Sequence, residues 1–301
     1  MFKESSHESG TKRLRFETVT AIEEDGVLFA EIGAPPMNLL GPELVRDLVS
    51  IIQQTEADDS IRVLVFKSAD PDYFISHVDV TRIAEYGELA TKLSGESSLA
   101  MLFRYLSASR LVTIAQIEGR ARGVGSEFAL ACDMRFAARE SAIFGQPEAG
   151  FGLIPGAGAA QHLTRLMGRG RALEVLLSAE DYDAQMAERY GWINRVLPAA
   201  ELGNFVTSLA RRIASFPAVG LAAIRERVNA VSLAPAEDFR RDSSLFLECV
   251  CRSEVQNRIK AAMKRGFQTR KAEMALARML GDLAASLENS EELRLTQGTA
   301  T

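Results

Sequence analysis

The sequence predicts an α/β protein with a parallel-rich core and a helical C-terminal region, and three observations predict it. Apolar, partly β-branched runs at 27–32, 61–69 and 111–119 read as strands, and amphipathic or apolar helical stretches alternate with them. Glycine- and proline-dense turns punctuate the alternation. From Leu202 onward the pattern is almost wholly helical.

Taken in order, VLFAEI at 27–32 is the first clear strand, and GAPPMNLLGPELVRDLVSIIQQTE supplies a Pro-rich turn and an amphipathic helix. IRVLVFKSA at 61–69 is nearly continuous in apolar character, as expected of a strand buried on both faces, and it empties into the loop DPDYFISHVDV. One helix is expected from about 90 to 107. The strand LVTIAQIEG follows it, then the turn RARGVGSE and an apolar helix through FALACD, with helix onset near Val124. MRFAA reads as a fourth strand, and SAIFGQPEAGFGLIPGAG as a long ordered loop before the helix AAQHLTRLM. Beyond 202, breaks are expected at Pro217 and near Pro235, and one charged helix from SEVQNRIK onward closes the fold.

With 301 residues, 47% of them apolar and 25% charged, the chain can bury a substantial core. Its net charge of -5 removes the bulk attraction that nucleic acid or an anionic membrane needs. No stretch approaches the roughly 20 apolar residues of a membrane span, and MFKESSHESGTKRLRFE has no apolar signal core. The three cysteines, Cys132, Cys249 and Cys251, lack metal-ligand spacing and are expected to be reduced thiols in a cytoplasmic protein. His7, His77 and His162 are the only histidines, so no His-rich metal cluster is expected, and His162 reads as a structural residue on a helix. Neither GVGSEF nor GAGAAQ completes a dinucleotide or phosphate-loop fingerprint, and Phe128 stands where a nucleophile elbow around Ser126 needs glycine.

Two carboxylates are the candidate chemistry. A helix starting near Val124 leaves unpaired backbone N–H groups suited to an oxyanion and puts Glu127 one turn in, on the same side. Glu127 can equally be a favourable charge in the first turn of a helix. Glu148 lies among glycines, prolines and apolar residues in FGQPEAGFGLIPGAG, where a lone charge is costly. Facing one water, the pair could divide acid and base work; as two independent loop glutamates they would do nothing of the kind.

FGQPEAGFGLIPGAGAAQHLTRLMG followed by ALEVLLSAEDYDAQMAERYGWINRVLP resembles the signature stretch of the enoyl-CoA hydratase/isomerase (crotonase) family. PPMNLLGPELVRDL, IRVLVFKSADPDYFISHVDV and IEGRARGVGSEFALACDMRFAA match its N-terminal turn and its two oxyanion loops, so the resemblance covers about 16–215. It implies a crotonase-like spiral of repeated ββα units. The division it suggests is an N-terminal segment at 1–15, flexible, a core at 16–215, a helical C-terminal region at 216–287 used for oligomerisation, and a polar tail at 288–301.

By the same resemblance the backbone N–H groups of Val78 and Val124 form the oxyanion hole, and Glu127 and Glu148 form the acid/base pair. Ser76, His77, Asp79 and Gly123 are the implied contacts to substrate and CoA. His77 replaces the family's usual glycine and reads as a satisfied loop residue, a CoA contact or a change in chemistry. Both glutamates of the family's hydratases are matched, which implies hydration of a 2-enoyl-CoA. An isomerase shifting the double bond, or a CoA-thioester-binding protein with little turnover, are the alternatives. No cofactor is implied, since coenzyme A is part of the substrate, and a homotrimer or dimer of trimers is expected. The basic residues of the last helix, Arg270 among them, read as a solvated face or as contacts to CoA phosphates.

Overall fold

A computed structural model describes residues 12–283. In chain order it runs β1 (Lys12–Arg15), β2 (Val19–Glu24), β3 (Val27–Ile32), α1 (Pro42–Glu56), β4 (Val63–Ser68), β5 (Tyr73–Ile75), α2 (Ile83–Ser94) and α3 (Leu99–Ala108). Next come β6 (Val112–Ile117), β7 (Arg120–Arg122), α4 (Val124–Ala131), β8 (Met134–Ala138), β9 (Ile143–Gly145), α5 (Glu148–Phe151) and α6 (Ala159–Ser178). The remainder is β10 (Asp181–Asp183), α7 (Ala184–Tyr190), β11 (Arg195–Leu197), α8 (Ala199–Ala214), α9 (Ala218–Ser232), α10 (Ala236–Val250), α11 (Ser253–Lys264) and α12 (Arg270–Glu273).

The spiral of ββα units is explicit in the topology. A seven-stranded sheet runs β1-β2-β3-β4-β6-β8-β11, and a four-stranded sheet runs β10-β9-β7-β5. Each repeat places its first strand in the large sheet (β4, β6, β8) and its second in the small one (β5, β7, β9), and the pairs between repeats are parallel. The apolar run of β4 follows from its position: Val63 and Val65 join the core under α8, while Leu64 and Phe66 join the core on the opposite face. Leu202, Val206, Ala210 and Ala214 recur every four residues on α8 and are all buried against those valines. Burying a Leu or Val of this kind contributes on the order of 1.5–3 kcal/mol.

Four expectations change. Lys12–Arg15, assigned to a flexible segment, pairs with β2 as β1, because its backbone completes the sheet edge and Leu14 packs on the core; residues 1–11 and 288–301 lie outside the described residues. The helix expected over 90–107 is two helices, since Ser98 accepts a hydrogen bond from Met101 N–H and starts α3 afresh. The loop before AAQHLTRLM contains β9 and the one-turn helix α5. The closing charged helix breaks between α11 and α12, where Thr269 caps the latter. Among the described residues, no helix is long and apolar enough to cross a membrane.

Candidate active site

The three short strands β5, β7 and β9 are parallel neighbours, with Ile75 paired to Ala121 and Ala121 to Phe144. Their C-terminal ends therefore finish side by side. Val78 follows β5 by three residues, Val124 follows β7 by two, and Glu148 follows β9 by three. The small sheet thus delivers to one place what the sequence spreads over 70 residues. Loops at the C-terminal ends of parallel strands are the usual place for a ligand site in such sheets.

That place is a cavity of about 460 Å³ lined by Val78, Val124, Glu127 and Glu148. Its apolar wall comes from Ile83 and Tyr86 of α2, Leu99 of α3, and Phe246, Leu247 and Val250 of α10. The C-terminal helices thereby shape the cavity; their periodicity in the sequence gave no sign of it, because an amphipathic stripe looks the same whether it faces a core or a ligand.

Val124 opens α4, as its sequence suggests. Gly123 before it has φ +49, and a Cβ there would stand 2.7 Å from Glu148 Oε1. A Cβ on Gly125 would overlap the Ile75 carbonyl oxygen, so α4 starts hard against the β5 backbone. Phe128 fixes the helix roll, its ring lying 4.9 Å from Phe66, 5.4 Å from Phe103 and 6.3 Å from Phe74. Among the described residues, neither Val78 N–H nor Val124 N–H meets a protein acceptor.

Glu127 is 2% exposed, and its Oε1 accepts hydrogen bonds from Ala157 N–H at 2.8 Å and Ala159 N–H at 3.0 Å. Burial raises its pKa, the two amides lower it and Asp242 raises it, leaving it pushed up to about 7. Glu148 is held well above the ordinary carboxyl value, first by burial and then by the charge of Glu127. Its Oε2 is buried without a hydrogen-bond partner. Of the two, Glu127, with two amides on its Oε1, gives up its proton the more readily, and Glu148 holds its proton the more tightly.

The structure treats the four implied substrate contacts differently, and none lines the cavity. Ser76 donates to Met37 O at 2.7 Å. His77 has both ring nitrogens engaged, by Val78 O and by Glu273, and its ring stacks on Phe267 at 4.7 Å, the arrangement of a satisfied loop residue. Asp79 Oδ1 accepts from Thr81 and Gln268, and Gly123 acts as a backbone turn. Arg270 pairs with Asp70 and Asp72, so its charge is already engaged. His162 lies edge-on to Phe239, and burial pushes its pKa down to about 3. Ser126 Oγ accepts from Trp192 Nε1 at 3.1 Å in the core. Glu273 and Arg122, both fully buried, were not singled out in the sequence; a second arginine directly before the glycine turn was the available sign of Arg122.

Residues 23–272 match the family model described as enoyl-CoA hydratase/isomerase. The chain belongs to this family. The match runs past the 16–215 that the motifs cover and takes in the cavity wall of α10. The short-chain-enoyl-CoA hydratase of Clostridium acetobutylicum is 30% identical over 210 residues, covering 69% of this chain and 80% of that one. An Arabidopsis thaliana protein assigned as mitochondrial enoyl-CoA hydratase 2 is 33% identical over 193 residues, covering 63% of each chain, so the match spans under two thirds of that relative. Among solved structures, a candidate enoyl-CoA hydratase from Streptomyces avermitilis superposes with TM-score 0.87 at 52% identity, covering 89% of this chain and 98% of that one. Enoyl-CoA hydratase/isomerase family members process acyl-CoA thioesters.

Proposed function

We propose that this chain adds water reversibly across the double bond of a 2-enoyl-CoA thioester, with Glu127 as base and Glu148 as acid. The observation that carries the reading is the pair of buried carboxyl groups on one cavity, one accepting two backbone amides and the other with a carboxyl oxygen left without a hydrogen-bond partner. The thioester oxygen would be received by the N–H groups of Val78 and Val124. Glu127 takes a proton from water as its oxygen bonds to Cβ, the π electrons move to the thioester oxygen, and Glu148 protonates Cα as the enolate collapses. The proton left on Glu127 then returns to Glu148.

Removing one oxyanion donor from such a site typically costs about 3 kcal/mol in barrier. The reading includes no separate cofactor, coenzyme A being part of the substrate. It is proposed together with a homotrimer or dimer of trimers and, from the free thiols, a cytoplasmic setting. Loss of enone-thioester absorbance over short, branched, long and aromatic 2-enoyl-CoAs tests it. Absorbance loss with a 3-hydroxyacyl product, abolished in Glu127→Gln and in Glu148→Gln, is expected. A β,γ-unsaturated product, or tight binding with no reaction, would replace it with the isomerase or the binding protein.

A further inference from the structure

Behind the Val78 loop lies a buried charge cluster that the acid/base pair does not use. His77 is 4% exposed, and its Nδ1 donates to Val78 O at 2.8 Å, since a carbonyl only accepts. Its Nε2 lies 3.0 Å from Glu273 Oε1, which also accepts Gln268 N–H at 3.0 Å. Burial pushes the Glu273 carboxyl up, but His77, the Gln268 amide and Arg122 outweigh burial and hold it below the usual carboxylate range. Both ring nitrogens are therefore engaged, one by the Val78 carbonyl and the other by the Glu273 carboxyl.

Each attachment of His77 falls beside Val78. The His77 carbonyl accepts from Leu40 N–H at 2.8 Å, and Asp79 N–H donates to Leu40 O at 3.1 Å, so the peptides on both sides of Val78 are engaged while its own N–H stays free. Gln268 Nε2 donates to Asp79 Oδ1 at 3.1 Å. On the far side Arg122 donates to Glu273 O at 2.7 Å and forks onto Asp181 at 2.7 and 2.6 Å. Arg122 ends β7, two residues before Val124. The segment 267–273 therefore clamps both loops at once.

We propose that the His77–Glu273 contact is a positioning device for the Val78 N–H, through which the C-terminal segment 267–273 sets the geometry of the oxyanion hole. The glycine expected at this position has no side chain with which to make such a link. The inference rests on the reading above that Val78 N–H receives the thioester oxygen. Glu273→Gln keeps the shape of the side chain, His77→Gln keeps a polar side chain of similar reach, and each breaks the carboxyl–imidazole pairing.

Each is expected to lower kcat about ten- to a hundredfold, the scale of a displaced reacting group, with KM changed less than about threefold. The double variant is expected to be no worse than the poorer single one, as for two halves of one device. Lower melting temperatures with unchanged kcat per folded molecule would overturn the proposal and leave the pair as a fold-stabilising contact.

A second readout does not need turnover. The absorbance of a bound 2-enoyl-CoA moves to longer wavelength when its thioester oxygen is polarised, and both variants are expected to show a smaller move than the wild type. If the wild type hydrates nothing yet shows a shift that the variants lose, the positioning role stands and the hydratase reading falls. An equal shift in all three proteins overturns the positioning role whatever the activity, and a wild type that binds no CoA thioester overturns both.

Discussion

Val124 and Val78 line the same cavity from supports built in different ways. Val124 is placed by close packing of its own helix: Gly123 turns the chain, Gly125 lets α4 press on the β5 carbonyl, and the Phe128 ring locks the helix against three others. Val78 sits in a loop held by Leu40 and by side chains from a segment nearly 200 residues on, His77 to Glu273 and Asp79 to Gln268. The first support is local and rigid, and the second depends on the C-terminal chain docking in register. Substitutions at the two sites should therefore fail differently, the first by breaking the fold and the second by loosening a site that still folds.

The largest expected effect is at the rigid support. Gly125→Ala forces a methyl into the Ile75 carbonyl, so a loss of about 3 kcal/mol or more in stability is expected together with the activity; chemical denaturation against wild type measures it. A fully stable, active Gly125→Ala would show that this support yields as easily as the other. Next come the carboxyls. Glu127→Gln and Glu148→Gln are each expected to lower kcat by about 10² to 10⁴ with the fold retained, read by steady-state kinetics beside melting curves. The side-chain support follows, with the smaller losses given for His77 and Glu273.

Smaller still is a shift in pH dependence. With Glu127 as the proposed base, kcat/KM is expected to fall as pH drops through about 7, and to fall again at higher pH where Glu148 loses its proton. Asp242 raises the pKa of Glu127, so Asp242→Asn should move the acid limb to lower pH while leaving the alkaline limb in place. A limb moving upward would mean that Asp242 acts through packing. The smallest effect is expected at Arg211→Ala, whose exposed pairs with Glu24 and Asp25 contribute under about 1 kcal/mol, with kcat unchanged.

The same contrast explains what was legible in the sequence. Val27–Ile32 and Met134–Ala138 matched their strands to the residue because their neighbours in sequence carry the pattern. The start of α4 was readable because glycines and a helical apolar run adjoin it. Strands β5, β7 and β9, which bring the site together, are three residues each, too short to display a two-residue period. Glu273 read as one more charge on a long helix. Its meaning lies in a break after α11 and in a partner 196 positions away, and neither leaves a periodic mark.

The central claim is that the two carboxyls add water. The most direct measurement is to incubate the protein with a 2-enoyl-CoA in water labelled with heavy oxygen and weigh the acyl product. One labelled oxygen, at the 3-position and at a rate that either glutamine variant lowers at least a hundredfold, is the predicted result. A product whose double bond has moved without label, or label incorporated equally fast by the variants, would contradict the account.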